Sequence, residues 1–115
     1  MPSWKERFRQ EIERAGECRA NGNEGQARVC ARRAAGIAIR EYSRQRGLET
    51  PSPSAIDLLN GLADLPGVPV SARQSARYLT LRVDEQFALP AEVDLIHEAR
   101  SLCEQLLPGG EEREI

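Results

Sequence analysis

Ala27-Arg28-Val29-Cys30-Ala31-Arg32-Arg33-Ala34-Ala35-Gly36-Ile37-Ala38-Ile39-Arg40-Glu41-Tyr42 is the stretch whose reading decides the architecture. Ala27, Cys30/Ala31, Ala34, Ile37/Ala38 and Tyr42 recur every three or four residues, the period of one helix face. Alanine and Gly36 make that face shallow, so a neighbouring helix can approach closely. Arginines at 28, 32, 33, 40 and 44 occupy the other side. The spacing predicts a central helix from about Glu24 to Gln45, ended by Gly47, because glycine accepts the left-handed turn that follows a last helical turn.

Outward from this segment the same period continues. Trp4, Phe8, Ile12, Ala15 and Cys18 form one stripe, with Ser3 placed to cap its start and Asn21-Gly22-Asn23 placed to break it. On the other side, Pro51 and Pro53 disfavour helix in the connector 48–54. Ser54 then opens a short helix whose apolar face holds Ile56, Leu59, Leu62 and Ala63, with Leu58 adjoining. Leu65 to Pro69 closes it. Ser71 and Gln74 make a capping-box pattern for a fourth main segment bearing Ala72, Ala76, Leu79 and Val83, with Phe87 continuing the stripe. Leu89-Pro90 is the expected start of a last helix, lined by Val93, Ile96, Ala99, Cys103 and Leu106 and stopped by Pro108-Gly109-Gly110. No period-two strand pattern occurs. The prediction is all-α: a four-helix up-and-down bundle with an additional short helix, spanning residues 1–107, and a mobile tail over 108–115.

The chain has 115 residues and a formal charge of −2, which fits one domain. No apolar run approaches the length of a membrane-spanning helix. The first residues are charged and lack an apolar leader, so the expectation is a cytoplasmic protein without membrane association. Cys18, Cys30 and Cys103 are odd in number and not close-spaced. With His97 as the single histidine, they are expected to be buried reduced thiols, neither a disulfide framework nor a metal site. No cofactor is expected.

Charge is divided unevenly. Residues 1–47 carry eleven cations against six acids, and residues 48–115 carry five against twelve; fifteen of the sixteen cations are arginine. Arginine forks suit phosphates and carboxylates. Arg28, Arg32, Arg33 and Arg40 are therefore the candidate row for an anionic ligand. The competing reading pairs these arginines with Glu24, Glu41 and the acidic half, within the chain or across a dimer. No glycine-rich phosphate loop and no Gly-x-Ser-x-Gly turn is present. His97, near Asp94 and Arg100, is the one residue of general-base type.

The order of these motifs resembles the HEPN domain family. The alanine-rich helix ends in Arg46-Gly47-Leu48, a Pro/Ser connector follows, and then come Ala55-Ile56-Asp57-Leu58-Leu59 and Leu79-Thr80-Leu81-Arg82-Val83-Asp84. The resemblance covers about residues 4–107. It implies a helical bundle that is often a homodimer, in some members beside a small nucleotidyltransferase partner, in others acting as a ribonuclease. The ribonucleases carry an Arg-x(4–6)-His motif, and the chain departs from it. Residues 90–93, before His97, hold no arginine, and Arg82 is followed by Phe87 and Ala88 where a histidine is needed. Arg82-Val83-Asp84 is similar to the Arg-Tyr-Pro-Asp segment of another branch, without its aromatic and proline. The resemblance thus implies a non-catalytic HEPN-like module, a homodimer acting in protein interaction or nucleotide/RNA association, and adds Arg82 to the candidate binding residues. The alternative is a diverged ribonuclease joining the arginine row to His97.

Overall fold

A computed structural model describes residues 3–48, 54–65, 67–80 and 94–108. The fold is all-α. Helix α1 spans Trp4–Ala20, α2 Glu24–Gln45, α3 Ala55–Gly61, α4 Val70–Leu79 and α5 Leu95–Leu106; a single 3₁₀ turn, Leu62–Asp64, extends α3. Among the described residues no helix is long and apolar enough to cross a membrane.

The ends of the first two helices follow from local chemistry. Ser3 Oγ accepts the Glu6 N–H at the start of α1. Asn23, between the two helices, is more than a breaker: its Oδ1 accepts the Gln26 N–H and so caps α2. At the far end Gly47 takes φ +68°, and the Leu48 N–H returns to the Ser43 carbonyl. The bounds of α2 are therefore those its pattern predicts.

Helix α2 is the spine. It packs against α1, α3 and α5, and α4 packs on α5. Ala31, Ala34, Ala35 and Ala38 are all fully buried in the main core, with Phe8 and Ile12 of α1, Leu58 and Leu59 of α3, and Leu95, Leu102 and Leu106 of α5. Trp4 is half-buried against the same core. A smaller cluster, Ala15, Ala27 and Cys30, joins the end of α1 to the start of α2, and Ile96 at the start of α5 packs there too. Hence α1 and α2 are antiparallel, and α5 runs alongside α2 with its first turn at the start of α2. With few aromatics the core is built from close helix approach: a Cβ on Gly36 would stand 3.2 Å from Ala55 Cβ.

Three local expectations are corrected. Helix α4 begins at Val70 with Pro69 as its cap residue and no side-chain cap; Gln74 instead donates to the Tyr78 hydroxyl at 3.0 Å. Proline already holds the φ near −61° that a helix start needs, so the helix begins two residues earlier and Ser71 falls inside its first turn. On α3, Ile56 and Ala63 face solvent while Leu58, Leu59 and Leu62 are buried, because α3 turns its leucines to α2. Asp94 is extended and caps α5, so that helix begins at Leu95 and not at Leu89-Pro90. Its buried stripe accordingly adds Leu95 and Leu102 to Ala99, Cys103 and Leu106. Val83, Phe87, Val93 and the tail 109–115 lie outside the described residues.

Arg19 ties three helix ends together. Its Nε and Nη2 donate to the two carboxylate oxygens of Glu24, at 3.0 and 2.9 Å, and its Nη1 donates to Asp94 Oδ1 at 2.9 Å. Asp94 Oδ1 also accepts the N–H groups of Ile96 and His97. The Arg19 hydrogen bond, opposed by partial burial, holds the Glu24 carboxyl below its ordinary value. Burial works against ionisation of Asp94, but Arg19 and the helix N–H groups outweigh it and lower its pKa as well. Carboxylates with depressed pKa values stabilise the fold above their unfolded pKa values, near 4.5 and 3.8, and that stabilisation is lost as pH falls through the folded values. Because these groups are partly exposed and solvent-screened, Arg19→Ala is expected to cost only about 1 kcal/mol at pH 7. Its denaturant midpoint should converge on the wild-type value as the pH falls below about 4; a gap that stays constant from pH 7 to 3 would remove this account.

Candidate functional site

One groove of about 550 Å³ opens between α1, α2 and the start of α3. Five arginines line it: Arg7 and Arg14 from α1, and Arg32, Arg33 and Arg40 from α2. Glu11 is the one carboxylate among the described lining residues, and Val29, Ile37, Ala55, Ile56 and Leu58 supply an aliphatic surface.

The arrangement follows from helical geometry. Arg7 and Arg14 are seven residues apart on α1, as are Arg33 and Arg40 on α2, so each pair returns to one face about 10.5 Å along its axis. The antiparallel packing of α1 on α2 sets the two faces beside each other. Arg7 and Arg33 form no ion pair with another described residue. Arg14 Nη1 lies 3.5 Å from Glu11 Oε1, which is occluded and accepts no hydrogen bond from a described residue. Arg32 is half-buried, and its Nε donates to the Leu79 carbonyl at 2.7 Å, closing the C-terminal end of α4. Burial, with the nearby charge of Arg28, lowers its pKa, although a guanidinium remains charged.

Three of the predicted binding residues, Arg32, Arg33 and Arg40, are thus brought together. Arg28 is not. It sits about 140° around α2 from Arg33 and lies 3.8 Å from Glu24, one turn back, so for this residue the ion-pair reading holds. Arg82 lies outside the described residues. Arg7 and Arg14 were not singled out by the sequence reading. Their signal is the seven-residue spacing beside the Phe8–Ile12 stripe, which gains meaning only once that flank is known to border α2.

The other polar clusters have structural roles. Glu41 is only 7 % exposed, yet both oxygens are satisfied: Arg44 donates from Nε and Nη2 at 2.9 and 2.6 Å, and Gln45 Nε2 at 2.9 Å. The Arg44 hydrogen bonds hold its carboxyl below the usual range. His97 is exposed in the first turn of α5 and is not among the groove residues. Cys18, Cys30 and Cys103 form no disulfide; among the described residues no group of His, Cys, Asp and Glu side chains could hold a metal ion. Burial, reinforced by the Glu11 charge, pushes the Cys30 thiol upward and so keeps it protonated and unreactive at neutral pH.

No family model, no curated protein and no solved structure matches the chain.

Proposed function

We propose that the chain is a non-catalytic HEPN-like module that works by association, taking an anionic ligand into the arginine-lined groove. The ligand classes it suits are a nucleotide or RNA, through phosphate, and an acidic protein, through carboxylates. In the same proposal the module is a homodimer or the companion of a nucleotidyltransferase. One observation supports this above the rest: among the described residues, five arginines from two helices share a groove with a single carboxylate. Several like charges held on one surface repel one another in the empty protein, and an arriving anion relieves that repulsion. The alternative of a ribonuclease that joins the arginine row to His97 draws nothing from the geometry, since His97 is not among the groove residues.

The test is binding of inorganic tripolyphosphate, a nucleoside triphosphate and a short oligoribonucleotide, each by titration at low and moderate salt. At least one is expected to bind, with affinity falling as salt rises. The double charge reversal Arg7→Glu with Arg33→Glu should lower that affinity by about a hundredfold or more, with helix content unchanged by circular dichroism. Tight binding that survives both reversals would place the ligand elsewhere. Incubation with the oligoribonucleotide should leave it uncut, and light scattering should return about twice the chain mass.

A further inference from the structure

We infer that the groove seats an acidic amphipathic helix of a partner protein. This rests on the anion-binding reading above and selects among its ligand classes.

The charge pattern of the walls carries the argument. Along α1 the lining residues run Arg7, Glu11, Arg14: positive, negative, positive, four and then three residues apart. Along α2 the corresponding run is Arg33, Ile37, Arg40: positive, apolar, positive. A partner helix lying along the groove repeats the same geometry, because its own side chains at i, i+4 and i+7 return to one face with the same rise. Acids at i and i+7 then meet the arginines at both ends. A side chain carrying a hydrogen-bond donor at i+4 faces Glu11, and an aliphatic residue at i+3 covers Ile37. The apolar surface also needs cover: Ile56, in the same groove, is 42 % exposed. Helix-in-groove recognition uses this combination of apolar contact and flanking charge.

A nucleic-acid backbone fits the pattern less well. It carries a phosphate at every nucleotide, with a rise on the order of 3.4 Å per nucleotide along the axis of a duplex. A strand running from Arg7 to Arg14 therefore sets a phosphate between them, facing the Glu11 carboxylate. Single-stranded binders also stack bases on aromatic rings, and among the described residues no aromatic side chain lines this groove.

The experiment compares three fluorescein-labelled probes by anisotropy on the full chain. The first is a synthetic helix with Glu at i and i+7, Leu at i+3 and Gln at i+4. The second is a scrambled peptide of identical composition. The third is a single-stranded oligoribonucleotide of equal charge. The ordered helix is expected to bind at least about tenfold more tightly than the scrambled one. Glu11→Arg should reverse the benefit of the i+4 donor, so that Glu at that position becomes preferred over Gln. Equal binding of ordered and scrambled peptides, or tighter binding of the oligoribonucleotide, overturns the helix. If neither peptide, oligoribonucleotide nor tripolyphosphate binds, the anion-binding reading falls with it.

Discussion

Replacing Tyr42 with alanine should destabilise the fold by about 3–5 kcal/mol, much of the 5–15 kcal/mol that holds an ordinary domain together. Tyr42 is the largest fully buried side chain among the described residues, 1 % exposed, and stands near the C-terminal end of α2. Its hydroxyl would lie 3.6 Å from a Cβ on Gly67, in the turn that leads into α4. Its ring carries the Arg46 guanidinium 4.0 Å above it. Phe8 is the one other aromatic buried in this core among the described residues, and alanine-lined helices cannot collapse far into a void. Urea unfolding is the measurement: the midpoint should fall sharply for Tyr42→Ala while the slope stays close to wild type. Tyr42→Phe, which keeps the ring, should lose only about 1 kcal/mol. A Tyr42→Ala midpoint near wild type would mean that the ring is not packed as described.

The second large effect is expected at Gly36. There the chain uses the absence of a side chain to bring α3 against α2. A Cβ would meet Ala55 Cβ at 3.2 Å and Ala55 Cα at 3.4 Å, and neither atom can swing aside. Gly36→Leu should therefore cost about 1–3 kcal/mol or more through overpacking. Because Gly36, Ala55 and Leu58 all border the arginine groove, the displacement of α3 should also weaken ligand binding in whatever fraction remains folded. Gly36→Ala sets a helix-propensity gain of about 1 kcal/mol against the same contact and should come out near neutral. The control is Gly16→Ala on α1, where nothing lies within 4 Å; the propensity gain should be unopposed and raise stability by about 0.5–1 kcal/mol. Equal gains at both positions would show that α3 yields freely.

These effects indicate which parts of the molecule were legible beforehand. The alanine row and Gly47 determine α2 because both act locally: one through the helical period, the other through a left-handed turn. Caps were harder. Ser71 and Gln74 have the right spacing for a capping box, but Pro69 two residues earlier already supplies the backbone angle, and sequence spacing does not rank the two. Asp94 caps α5 and binds Arg19 together, a role visible only when residues 75 apart meet. For the site, Arg33 and Arg40 follow from the exposed face of α2. Arg7 and Arg14 required the packing of α1 on α2. Arg28 shares the composition of that row but lies on another side of α2, 3.8 Å from Glu24 one turn back.

The Arg19 junction has a consequence for the order of assembly. Its contact with Glu24 joins neighbours in the chain, so the α1–α2 hairpin can organise while the remainder is still being synthesised. Its contact with Asp94 cannot exist until the last helix has emerged. The opening turn of α5 should thus be the latest to gain protection from amide exchange during refolding, and a chain halted at residue 80 should hold its first hairpin with the spine stripped along one side.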